Sequence, residues 1–165
     1  MGMYVECRDL LVETLKKSGC IKQPFTSRKK LLASAESRVS AVICEEETVE
    51  RQKGRKVYTD GEGRRLKRSR LYSRDIIFSV VIGDYSSEKI EEIYEKFLRS
   101  LPDGIYVDGD YVSIEPRESD WMDEKDHVLY AKVTMQSKIV FHGGLYRDTD
   151  MMRIKDINVD VRKEK

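Results

Sequence analysis

The sequence predicts an α+β fold in which two helices pack on a mainly antiparallel sheet that carries a long projecting basic β-hairpin. Three observations lead there. Ile90, Ile93, Tyr94, Phe97, Leu98 and Leu101 mark one face of a helix, because positions three and four apart line up at about 3.6 residues per turn. Runs rich in β-branched and aromatic residues at 39–45, 76–82 and 127–141 favour strands on either side of it. Between the first two runs, Asp60-Gly61-Glu62-Gly63 supplies the backbone freedom of a hairpin turn.

The chain opens on Tyr4 to Lys17, where Cys7, Leu11 and Leu15, with Tyr4 and Leu10 beside them, make an amphipathic helix closed by Ser18-Gly19. Cys20 to Ser37, with Pro24 and a basic trio at 28–30, reads as an extended connection with room for one short helical turn. Val39 begins a strand running to about Tyr58, and Arg64 to Ile82 returns beside it. The end of that return, Ile76 to Ile82, is apolar on both faces and so central in the sheet. Ser86 or Ser87 caps the next helix, with Glu88 favourably placed in its first turn.

Pro102-Asp103-Gly104 stops that helix. Tyr106 to Ile114, interrupted by Asp108-Gly109-Asp110, reads as a tight hairpin or a strand with a turn at its start, and Glu115 to Asp126 as a polar loop around Trp121. His127 to Phe141 reads as a long strand with one wet face, broken by Gly143-Gly144. Ile157, Val159 and Val161 then alternate with polar residues in a terminal strand. On this reading residues 1–142 form a single α+β domain and 143–165 a C-terminal strand or arm.

A chain of 165 residues is about one domain long, and 39% hydrophobic against 37% charged residues suits a folded body with a charged surface. With 31 Lys and Arg against 30 Asp and Glu, the formal charge of +1 gives no global field toward nucleic acid or membrane. Met1 to Leu15 carries Glu6, Arg8, Asp9 and Glu13, unlike a signal peptide or membrane span, so a cytoplasmic location and no membrane partner are expected.

Catalytic chemistry finds no motif. His127 and His142 lie at the two ends of one predicted strand without a sequence partner, so an enzyme built on either ranks below a surface protein. Cys7, Cys20 and Cys44 are too widely spaced for a disulfide framework or for the paired ligands of a zinc site. Asp108, Asp110, Asp120, Asp123 and Glu124 lack the alternating ligands of a calcium loop, and Gly61-Glu62-Gly63 lacks the Lys-Ser or Lys-Thr of a phosphate loop. No catalytic residue, cofactor or metal is therefore predicted.

The strongest local signal is the set Arg51, Lys53, Arg55, Lys56, Arg64, Arg65, Lys67, Arg68 and Arg70, opposed within the same stretch only by Asp60 and Glu62. Clustered Lys and Arg on a hairpin fit a phosphate backbone or an acidic protein face. Charge that keeps an edge hairpin from aggregating explains the same residues. The C-terminal strand after the glycine pair is a candidate for strand addition to a neighbour, or for a place on its own sheet.

The order of elements resembles the tail-terminator and head-tail joining proteins of long-tailed bacteriophages. The likeness rests on the leading helix, on Val39 to Glu47 as first strand after a Ser-Arg entry, and on the charged hairpin. It continues through Asp75 to Ile82, the helix Ser87 to Leu101, and the return strands Asp110 to Ile114 and His127 to Phe141, covering about Tyr4 to Phe141. It implies a structural protein of a phage or prophage that forms a homo-oligomeric ring, often a hexamer, at the end of the tail tube. The implied partners are tail-tube and head-connector proteins and DNA passing through the ring, first in the host cytoplasm and then in the virion. The length of the basic hairpin and the extra C-terminal strand depart from the family's pattern. A small nucleic-acid-binding module using the same hairpin is the alternative.

Overall fold

The computed structural model describes residues 2–20, 22–59, 61–63, 65–123 and 133–150. Its elements in chain order are α1 (Met3–Lys17), α2 (Arg28–Ala33), β1 (Val39–Thr59), β2 (Arg65–Asp84), α3 (Ser87–Ser100), β3 (Gly104–Val107), β4 (Asp110–Asp123) and β5 (Val133–Asp150). The five strands form one antiparallel sheet in the order β1-β2-β5-β4-β3. The α+β class holds. Among the described residues the helices number three rather than two, because Arg28 to Ala33, within the connection expected to be extended with room for one short helical turn, forms a short helix that sinks Leu31 into a small apolar cluster.

The chain divides into two compact units, Met1–Glu47 with Asp75–Gly143, and Thr48–Arg74 with Gly144–Lys165. In the larger unit the period of two along the strands is read out directly. Ile76, Phe78, Val80 and Ile82 of β2 enter the main core, where Cys7, Leu11 and Leu15 of α1 meet Ile90, Ile93 and Phe97 of α3. Val81 of β2 joins Val39, Ala41, Ile43 and Leu31 in the second cluster, with Phe25 packed against it. That double burial is why Ile76 to Ile82 lacks any polar alternation. Phe25 adds one backbone bridge to the outer edge of β1, donating to Ser40 O and accepting from Val42 N, both at 2.8 Å.

Local signals place the helix ends. Ser86 accepts a hydrogen bond from the Lys89 backbone N–H at 3.3 Å, satisfying one free donor of the first turn of α3. Beyond α1, Gly19 takes φ +109°, a conformation that costs a glycine little.

Two expectations fail for the same reason. The predicted polar loop at 115–126 is instead strand as far as Asp123, with Trp121 opposite Met135 and Asp120 opposite Gln136 on β5. Arg117 and Glu118 together face the single Lys138 in a bulge directly after Pro116, whose ring removes a ladder donor. β5 also runs unbroken through Gly143-Gly144 to Asp150. The glycines admit close approach rather than a break: a Cβ at 143 would lie 2.7 Å from Met3 Sδ, and one at 144 would lie 2.8 Å from the Tyr72 carbonyl oxygen. Pairing with a neighbouring strand overrides weak intrinsic preference in both places. The expected strand start at 127–132 and the terminal strand at 157–161 lie outside the described residues.

Candidate functional site

The smaller unit takes in residues 48–59 of β1, 65–74 of β2 and 144–150 of β5, and none of its residues whose side chains are described is buried. Its side chains sort onto two faces. Arg51 lies over the Tyr72 ring at 5.4 Å, and Arg68 over the Tyr146 ring at 5.6 Å. Arg68 also donates from Nε and from a terminal nitrogen to the two carboxylate oxygens of Asp148, at 2.7 and 2.9 Å. Odd positions of β1 therefore share a face with even positions of β2 and β5. By that alternation Val49, Lys53 and Val57 join Arg51, and Arg70 joins Arg68 and Tyr72. Gly144 belongs to this face too, since a Cβ there would crowd Arg70 Nε at 3.1 Å and the Tyr146 hydroxyl at 3.0 Å.

The opposite face is marked by the hydrogen bond from Gln52 to Ser73 at 3.4 Å, and alternation puts Arg65 and Lys67 there. The basic set picked out in the sequence is thus divided. Arg51, Lys53, Arg68 and Arg70 share a face with two tyrosines, while Arg65 and Lys67 sit behind them. Arg55 and Lys56 belong to β1, but their side chains, like Arg64 altogether, lie outside the described residues.

The cations differ in availability. Arg68 is only 14% exposed and is engaged by Asp148, which makes it a clamp between β2 and β5. Arg51, Lys53 and Arg65 are exposed. Val49 and Val57, 53% and 50% exposed, interleave with the β1 cations, and Leu145 is similarly open on β5. Tyr146 and Asp148, which pack against Arg68, are not in the predicted contact set because the predicted strand ends at the glycine pair. The alternation Leu145-Tyr146-Arg147-Asp148 just beyond it was the available signal.

His142, at the end of the larger unit's share of β5, has partners that its sequence context did not reveal. Its Nδ1 lies 3.0 Å from Asp75 Oδ1 on β2, and its Nε2 lies 2.7 Å from Glu115 Oε2 on β4. Three adjacent strands are thereby tied through one ring. Burial works against its charge, but the hydrogen bonds to Glu115 and Asp75 and their negative charges outweigh it and raise its pKa. The same contact, aided by Arg117 at 3.5 Å, holds the Glu115 carboxyl low. Carboxylates on opposite sides of the imidazole hold a proton in place; the ring has no nitrogen left over to act as a base. His127 lies outside the described residues.

None of the three cysteines is joined in a disulfide. Burial pushes Cys20 and Cys44 up, with Asp84 adding to the rise at Cys20 and Glu47 and Glu45 at Cys44, so both stay protonated near neutrality. The recess beside Cys20, lined also by Arg38, Ser40 and Asp84, holds only about 20 Å³, room for about a single water. Among the described residues no His, Cys, Asp and Glu side chains gather as a metal-binding group of three or more. No described helix is long and apolar enough to cross a membrane. No family model matches the chain, and no curated protein is significantly similar to it in sequence.

Proposed function

We propose that the chain is a structural assembly subunit of the tail-terminator or head-tail joining type, from a phage or prophage, which closes with its own copies into a ring at the end of a tail tube. The observation that carries this reading is the smaller unit itself. It comprises parts of three long strands with no described side chain buried, and among its cations it exposes Val49 and Val57 on the tyrosine-bearing face and Leu145 on the other. Three strands need a hydrophobic face or a helix packed against them for independent stability. Strands of 18 to 21 residues also far exceed the usual length of about five or six. On this reading the outer parts of β1 and β2 are the projecting basic hairpin, and a neighbouring subunit supplies the burial. Such contacts join two different faces, the geometry that closes rings. Assembly takes place in the host cytoplasm and the ring ends in the virion, between tail-tube and head-connector proteins.

One observation favours a second reading. Tyr72 and Tyr146 with Arg51, Lys53, Arg68 and Arg70 on one face have the composition of a platform for single-stranded nucleic acid. Against it, each ring already carries a guanidinium and Arg68 is tied to Asp148. The mass of the protein in solution, followed by light scattering over concentration and salt with and without a short DNA duplex or single strand, separates the two. A closed ring or a concentration-dependent ladder indifferent to DNA supports assembly. A monomer that shifts only with nucleic acid, and less at high salt, supports the second reading and rules out the first.

A further inference from the structure

The larger unit carries a recess of about 510 Å³ between α1 and β3, lined by Glu6, Asp9, Leu10, Glu13, Ile105 and Tyr106. We infer that this recess receives the basic face of the smaller unit of a second copy, with Arg51 and Lys53 set against Asp9 and Glu13. The inference rests on the self-assembly reading and names the surface that the cations meet.

The recess has the make-up of a protein-binding site. Glu6, Asp9, Leu10 and Glu13 follow one another at i, i+3, i+4 and i+7, so three carboxylates and one leucine occupy a single helix row. Tyr106 is 74% exposed, the most open of the large apolar side chains among the described residues. Its ring is held edge-on against Tyr111, with centroids 5.3 Å apart. A rigid, exposed aromatic beside aliphatic carbons is the usual anchor of an interface. The acids have only weak internal partners: Asp9 takes the neighbouring Arg8 at 3.0 Å, Glu13 takes Lys16 at 3.6 Å, and all four side chains are substantially exposed. Such pairs contribute little and exchange readily for partners at a dry interface.

The basic face complements the recess in charge, apolar content and spacing. Val49 and Val57 flank Arg51 and Lys53 on one face of β1, matching carboxylates arranged around Leu10 and Ile105. Two residues along a strand advance about 6.6 Å, and the four residues from Asp9 to Glu13 advance about 6 Å along a helix. Two successive outward cations of β1 therefore align with two successive carboxylates of α1. Opposite charges so placed fix register and suppress wrong partners.

The test is charge reversal and exchange, read as solution mass against concentration for the full chain. Glu6→Lys/Asp9→Lys/Glu13→Lys and Arg51→Glu/Lys53→Glu should each weaken self-association roughly 100-fold, because like charges then oppose one another. Carrying both sets in one chain should restore association to near the unsubstituted level. Tyr106→Ala, at an exposed site that leaves the core intact, should weaken association about tenfold. Unchanged mass for the acidic-row variant, or failure of the combined chain to recover while its far-ultraviolet spectrum stays native, overturns the pairing but leaves assembly standing. An unsubstituted chain that is monomeric at every concentration and salt overturns the assembly reading and this inference with it.

Discussion

Arg68 acts as a strut between β2 and β5, a role that a double-mutant cycle with Asp148 can resolve. Its guanidinium forms two charge-assisted hydrogen bonds to Asp148, at 2.7 and 2.9 Å, and lies over Tyr146. A hydrogen bond to a charged group is worth about 1.5–3 kcal/mol when well enclosed, but Asp148 is 40% exposed, which brings the pair toward the range of surface ion pairs. The fork geometry and the near-burial of Arg68 keep it at the top of that range. A coupling of about 1 kcal/mol between Arg68→Gln and Asp148→Asn is expected, roughly a fivefold change in the local opening constant. Amide hydrogen exchange at 66–72 and 145–149 reads it, with protection elsewhere unchanged. Arg68→Lys keeps the charge and loses the fork, so it should lose most of the coupling. A coupling indistinguishable from zero, or a lysine variant as protected as the unsubstituted chain, would refute the strut.

Two further predictions follow from the sheet. The protonated His142 ring donates from both nitrogens, and its raised pKa means the resulting stability is fully present below the ordinary histidine value of about 6.5 and is lost as pH rises through the raised value. Glu115, held low, withdraws its part only as pH falls through its lowered value. Urea midpoints should therefore fall further between pH 5.5 and 8.5 for the unsubstituted protein than for His142→Gln, and parallel profiles would show that the clasp contributes nothing. Gly144→Ala places a methyl 2.8 Å from the Tyr72 carbonyl and should destabilise by about 1–3 kcal/mol through overpacking, seen as lost exchange protection where β5 meets β2. A neutral outcome would mean that the strands separate freely there.

What the sequence determined was the part of the fold set by local periodicity. Helix α3 was legible because six apolar residues repeat at helical spacing behind a serine cap, and β1 and β2 because their β-rich runs flank a glycine turn. The basic stretch was equally legible as composition. Tertiary structure decided the rest, for reasons of pairing rather than propensity. Only the central position of β5 between β2 and β4 turns Glu115 to Asp123 into strand and carries β5 across two glycines, because a neighbour's hydrogen bonds outweigh weak local preference. The same long-range pairing brings Asp75 and Glu115 to His142, residues 67 and 27 positions away along the chain. It also divides the cations between two faces and ties Arg68 to a carboxylate 80 residues distant. A run of like charges is visible in one dimension; which of its members are free to meet a partner depends on the strand laid beside them.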